Sequence, residues 1–301
     1  MRWASVVVIL AAALGAAACG GGNNASRAAK GTLGAELARP GPEVALIKGT
    51  SDYATGPIRV TFLVIDSKSR SIERPHARIW VGRSLDAPPL VSTEAALEPI
   101  GVPGKSEPAA GGVSRIYAAR FRLSQPGTYT LVAEPDGEKI QGFAKIRVAR
   151  HPQAPAVDDK AIPSRTPTLA SAHGNVAALT TASPPDLSLL RYSVADSIVA
   201  HVPFVLVFAT PKFCTSRTCG PVVDVAHAVQ RRFAGAGVRF IHVEVYADNN
   251  PAQGPNRWFR EWRLPSEPWV FLVGRDGRIK ERFEGSVSEA ELSAAVRRLL
   301  R

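Results

Sequence analysis

Cysteine is scarce: three in 301 residues. That is too few for a disulfide-stapled scaffold, and no Cys/His spacing suggests a zinc site. Methionine is scarcer still, with Met1 alone, so thioethers cannot ligate copper here. Long apolar runs are missing beyond the first twenty residues, which excludes a polytopic membrane protein. Acid is in deficit, with 26 Asp and Glu against 37 Lys and Arg, a formal net charge of +11. The surplus is thinly spread: residues 40–150 carry 15 basic and 11 acidic side chains, and residues 186–301 carry 16 and 12. No Lys/Arg run with interleaved aromatics marks a nucleic-acid partner. What is present, 45% hydrophobic and 21% charged residues, is globular composition. The length suits two ordinary domains of ~100–200 residues each.

The chain begins MRWASVVVILAAALGAAACGGGNN. Arg2 is a minimal basic n-region, Val6 to Leu14 an apolar core, and Ala16-Ala17-Ala18 a small-residue cleavage site, so residues 1–18 read as an export signal. The small triplet followed by Cys19 resembles a bacterial lipoprotein lipobox, which implies lipid attachment at Cys19 and a membrane partner. Ala16 departs from the leucine usual in that motif, and the same triplet also suits plain secretion. Residues 19–41 would then be a small-residue tether. Export places the chain where disulfides persist. If lipid consumes Cys19, Cys214 and Cys219 remain as a pair.

Residues 42–150 show short runs of period-two alternation broken by turn residues: 58–65, 77–81, 115–123, 128–133 and 139–148. Ala87 to Gly112, rich in Pro, Gly and Ala, reads as an irregular loop. About seven strands in roughly 105 residues predict an antiparallel sandwich. The segment PGTYTLVAE resembles the late-strand entry of immunoglobulin-like domains, with Tyr129 as the tyrosine of a tyrosine corner. No paired carboxylates, His cluster or phosphate loop occur here, so this region reads as a spacer or binding module.

Residues 151–185, dominated by Pro, Ala, Ser and Thr, read as an extended linker that runs along the second domain or separates the two. From residue 186 strand and helix alternate. Phe204 to Phe208 is a doubly buried strand. Val222, Val223, Val225, Ala226, Val229 and Phe233 follow at helical spacing. Val238 to Tyr246 is a strand, Asn256 to Arg263 a short helix, and 269–273 with 278–284 a hairpin. Ser288-x-x-Glu291 is a capping box that starts a last helix. This order resembles the thioredoxin fold. FVLVFATPKFC is similar to the central strand leading to a nucleophilic cysteine, and LPSEPWVFLVGRDGRIKERFEG to the strand that follows a cis-proline. The resemblance implies that Pro268 is that cis-proline and that Glu267 lies beside the cysteines.

The departures are specific. Thioredoxins use C-x-x-C, whereas Cys214 and Cys219 are separated by four residues. Two registers fit. One puts Cys214 at the nucleophile position; the other uses Cys219-Gly220-Pro221 as half of a CGPC motif. Val207 stands near the position of thioredoxin's buried acid, and Phe213 replaces the tryptophan before the nucleophile. A C-x4-C pair inside a regular helix is too wide to bridge comfortably, so the loop before Pro221 must be non-helical or must unwind on oxidation. The leading expectation is a two-domain, lipid-anchored, extracytoplasmic thiol–disulfide oxidoreductase without cofactor or metal. It would act on exported protein thiols or disulfides and be served by a redox partner protein. The alternative is a non-catalytic cell-surface binding lipoprotein whose cysteine bridge is structural.

Overall fold

A computed structural model describes residues 29–39, 41–42, 44–106, 113–138 and 142–301. The expected signal peptide, Cys19 and the first part of the tether fall outside these residues. Among the described residues, no helix is long and apolar enough to cross a membrane.

The first half forms one eight-stranded sheet. Its strands are Val44–Lys48 (β1), Tyr53–Ala54 (β2), Gly56–Asp66 (β3), His76–Gly82 (β4), Val91–Pro99 (β5), Arg115–Leu123 (β6), Gly127–Pro135 (β7) and Phe143–Ala149 (β8). They pair in the order β1-β3-β6-β5-β4-β7-β8-β2. All neighbours are antiparallel except β2 and β8. β1 comes against β8 and β2 against β3. Where the sequence predicts two packed sheets, the hydrogen bonding is continuous, and one sheet curls until its halves face each other across the core. Alternation along the strands supplies that core: Val60, Phe62 and Val64 of β3 meet Ile79 and Val81 of β4, Tyr117 of β6 and Leu131 of β7. Phe62 and Tyr117 stack with ring centroids 5.4 Å apart.

Two expectations are corrected here. β5 lies inside the stretch expected to be a loop. Its Val-Ser-Thr-Glu-Ala-Ala run carries little apolar contrast, and pairing with β4 and β6 holds it. The expected tether is partly folded: Leu33–Leu37 is a short helix (α1), capped by the Thr32 hydroxyl. Leu33 is fully buried in the core of the first sheet.

Tyr129 is buried, and its hydroxyl donates to the Gln125 carbonyl at 2.7 Å. The Arg83 guanidinium lies 4.1 Å from its ring centroid. The phenol thus ties β7 to the turn that precedes it, the geometry of a tyrosine corner. Tyr129→Phe is expected to lower stability by about 0.5–1.5 kcal/mol, read as a lower denaturant midpoint with an unchanged slope.

The second sheet has four strands, Phe204–Phe208 (β9), Arg239–Val243 (β10), Trp269–Val273 (β11) and Ile279–Glu284 (β12), in the order β10-β9-β11-β12. β10 is parallel to β9, while β11 is antiparallel to both β9 and β12. That is the layout implied by the resemblance to the thioredoxin fold. Every residue of β9 is buried, because both faces are covered. Val205 and Val207 face helices Cys219–Arg232 (α3) and Glu289–Leu299 (α5). Phe204, Leu206 and Phe208 face Trp262, Phe259 of helix Arg257–Glu261 (α4) and Val194 of helix Val194–Val199 (α2). Trp262 and Trp269 pack here as core aromatics, and Trp258 donates its indole N–H to the Arg165 carbonyl at 2.9 Å. The capping box forms: Ser288 Oγ accepts the Glu291 N–H at 3.1 Å, and the Glu291 carboxylate accepts the Ser288 N–H at 3.3 Å.

The Pro-rich segment from 151 to 185 lies along the second sheet. Ala161 N–H donates to Gly277 O, Asp158 N–H to Ile279 O, and the Ser164 hydroxyl to Glu261. Further on, Glu244 accepts both the N–H and the hydroxyl of Thr181, at 2.6 and 2.7 Å.

Polar contacts join the two sheets. Arg59 on β3 grips Glu291 on α5 with two parallel bonds of 2.9 and 2.7 Å. Arg282 on β12 donates to Asp52 at 3.1 Å. Glu284 accepts the Ser51 N–H at 2.7 Å, the Ser51 hydroxyl at 2.6 Å and the Asp52 N–H at 2.8 Å. Asp224 on α3 holds Lys105 at 2.7 Å and the Ser106 hydroxyl at 2.8 Å.

Candidate functional site

β9 and β10 run parallel, so the loops leaving their carboxyl ends converge on one edge of the sheet. β9 leads through Ala209 and Thr210 into a turn, then Cys214, an irregular loop of four residues, and α3, whose first residue is Cys219. Arg217 sits at φ +58° in that loop, which breaks any helical continuation from Cys214. The C-x4-C spacing is therefore met by a non-helical loop, the first of the two routes open to it. Cys214 is half-buried, Cys219 is fully buried, and both are free thiols.

The helix begins with its donors aimed at sulfur. The α3 N-cap residue, Thr218, makes no side-chain cap, and the Cys219 N–H donates instead to Cys214 Sγ at 3.3 Å. The Ser216 hydroxyl lies 3.2 Å from the same sulfur. A hydrogen bond from the Cys219 thiol is the largest influence on Cys214. Partial burial opposes it, while Ser216 and the N–H groups of Cys219 and Thr218 reinforce it; together they hold the Cys214 thiol down at about 5. Cys219 moves the other way. Burial raises it first, then its hydrogen bond to Cys214 and the charge on that sulfur. One sulfur is thus prepared as a thiolate and its neighbour is kept protonated.

The Glu267–Pro268 bond is cis, and Pro268 is buried at the start of β11. Glu267 is half-buried, and its carboxyl is pushed up by burial and then by the Cys214 charge. Cys219 in turn feels Glu267. Cys214 and Cys219 thus lie together, Glu267 is close enough to share their electrostatics, and Pro268 follows Glu267 in the chain. Val207, near the acid position of thioredoxins, is buried and apolar, so Glu267 is the carboxyl that shares its field with the sulfurs.

Residues not chosen as site residues from the sequence complete the site. The Tyr246 phenol is raised by burial, then by Glu267 and both cysteines, and its ring meets Phe213 edge-on at 6.4 Å. The Thr210 backbone N–H helps to hold charge on Cys219. Thr181 accepts the Lys212 N–H at 3.1 Å, so the chain Glu244–Thr181–Lys212 steadies the turn before Cys214. His242 is buried, with Nε2 3.0 Å from the Ala209 carbonyl and Nδ1 3.4 Å from the Thr180 hydroxyl. The parallel ends of β9 and β10 were the available signal for Tyr246; nothing local pointed to Thr181. Among the described residues no cluster of three His, Cys, Asp or Glu could hold a metal ion.

No protein family's sequence profile matches the chain. No curated relative matches it either. Among solved structures it is similar to a thiol:disulfide interchange protein of the thioredoxin family from Chlorobium tepidum TLS, at 18% identity and a TM-score of 0.30, covering 36% of this chain and 86% of that one. It is also similar to the Lin-41 filamin domain, at 18% identity and a TM-score of 0.22, covering 37% of this chain and all of that one. Both are distant likenesses of fold, without bearing on chemistry.

Proposed function

We propose that this chain is an extracytoplasmic thiol–disulfide oxidoreductase, anchored to the cell membrane through lipid on Cys19. One observation carries the reading: the Cys219 N–H donates to Cys214 Sγ at 3.3 Å with the Ser216 hydroxyl 3.2 Å away, surroundings that pull the Cys214 thiol down to about 5 while burial pushes Cys219 up. A pair kept only as a structural bridge gains nothing from a stabilised thiolate, which counts against the binding-lipoprotein alternative. The Cys214 thiolate attacks one sulfur of a substrate disulfide, and the other sulfur leaves as a thiolate that takes a proton from solvent. The result is a mixed disulfide on Cys214. Cys219 then gives its proton to Glu267 or water and attacks Cys214 Sγ. This releases the second substrate thiolate and closes the Cys214–Cys219 bridge, so two electrons pass to the substrate. The reverse sequence oxidises a dithiol. A redox partner protein resets the pair in either direction.

The test is a thiol count with turnover. Oxidised protein is expected to gain two free thiols under a mild dithiol and to catalyse reduction of the aromatic disulfide DTNB. A bridge resistant to mild dithiol, together with no Cys214-dependent turnover, overturns the proposal.

A further inference from the structure

Between the two sheets, next to the cysteine loop, lies a groove of about 900 Å³, within the ~300–1,000 Å³ usual for ligand sites. Its two walls differ in chemistry. The near wall is the loop joining the cysteines, Thr215 to Thr218, with Glu267. Ser216 in that wall is the hydroxyl beside Cys214 Sγ. The far wall belongs to the first sheet and its loops, and carries an apolar patch of Ile47, Leu63, Ile100 and Ile116 beside Lys48, Thr50, Ser51, Lys105 and Ser106. Ile47 on β1 stands directly opposite Leu63 on β3 in the strand register. Ile47 is 46% exposed.

The groove cannot widen freely, because two of the polar clamps joining the sheets also line it. Asp224 holds Lys105 and Ser106, and Glu284 holds Ser51. A single extended strand fits such a space better than the surface of a folded domain. In a strand, successive side chains point to opposite faces. A cysteine turned toward the Ser216 side of the groove, next to Cys214, therefore turns its two neighbours toward the Ile47–Leu63 wall.

We infer that the substrate is an extended, non-native polypeptide segment whose cysteine is flanked by apolar residues, and that the first sheet recognises those flanks. The inference rests on the exchange reading above. Cysteine and the aliphatic residues are among the most often buried in native proteins. A segment of this kind is accessible chiefly before its protein has folded. The first sheet is then half of the exchange site.

The test uses two short peptides, Leu-Cys-Leu and Ser-Cys-Ser, each presented to the full-length protein as its mixed disulfide with thionitrobenzoate. Rates are normalised to those of each peptide with free dithiothreitol. The Leu-flanked peptide is expected to show kcat/KM about tenfold higher, the scale set by taking an aliphatic side chain out of water. In Ile47→Asp and Ile47→Ser the ratio is expected to fall below about twofold, the apolar surface having been lost. The ratio is taken within each protein, so a change in overall rate cancels. Equal rates in the wild type, or a preference that survives both substitutions, overturns the inference. Failure on DTNB itself would instead remove the exchange reading and the inference with it.

Discussion

Replacing Cys214 with serine is expected to reduce thiol-dependent turnover by about 10³-fold or more, the scale seen when a covalent nucleophile is deleted. Cys219→Ser should keep the first step and accumulate the mixed disulfide, because the resolving thiol is gone. The two variants thus separate attack from resolution. The pH profile is equally specific. Alkylation of reduced wild-type protein is expected to rise with a midpoint at about 5, whereas an ordinary thiol titrates near ~8.5. Cys219→Ala removes the strongest influence on that sulfur, so its midpoint should move upward. The sign for stability follows from the same depression. Cys214 contributes stability to the reduced fold fully above the unfolded-chain value, and that contribution is lost as the pH falls through about 5. The oxidised fold has no such thiol. As the pH rises from about 5 to the unfolded-chain value, the difference in thermal stability between the two forms should therefore move in favour of the reduced one. A midpoint at the ordinary thiol value, with Cys214→Ser fully active, would remove Cys214 from the chemistry.

Arg59→Ala is expected to be the most destabilising single change at the contact between the sheets. Arg59 and Glu291 are only 7% and 12% exposed, with a closest approach of 2.7 Å. The guanidinium also donates to the Ser286 carbonyl at 2.9 Å. Removing one member of a buried pair leaves the other charge uncompensated, at a cost of about 3–5 kcal/mol. Glu291 also completes the α5 capping box, so the loss extends to the start of that helix. Arg59→Lys should rescue only part, since an ammonium cannot reproduce the fork of two parallel bonds. Burial alone would raise the Glu291 carboxyl; the charge and hydrogen bonds of Arg59, with Arg120 behind them, prevail and hold it below the usual carboxylate range. Its stabilisation is thus complete above ~4.3, the unfolded value, and fades as the pH falls through the lower folded one. Equilibrium unfolding of wild type and Arg59→Ala at neutral and acidic pH measures both effects. Their stabilities should converge on acidification. A difference that stays constant with pH would show that the pair is not what is lost.

The second sheet was the more legible half of the chain. Phe204 to Phe208 announced itself as a doubly buried strand, and Ser288 and Glu291 as a capping box, because each signal is local and chemically strong. The pairing of Cys214 with Cys219 was legible as composition, but the geometry that separates their roles was not. It depends on where α3 starts and on Arg217 turning the loop, which spacing alone left open. β5 escaped notice because alanine, serine and threonine give alternation little contrast. Leu33 in α1 looked like tether because its partners are on distant strands. Thr181 could not be read at all, since it reaches the site through packing between segments far apart in the chain, and Tyr246 was legible only through the parallel ends of β9 and β10.

The contact between the sheets also bears on inheritance. Arg59 and Asp52 on one side face Glu291 and Arg282 on the other, each pair with little access to water. A first sheet transferred by recombination onto an unrelated partner would arrive with charges meeting no counter-charge. Separating the two halves is therefore expected to cost stability. Drift at position 59 or 52 should be tolerated only alongside a matching change at 291 or 282, and such paired replacements would record which ancestors already carried the clamp.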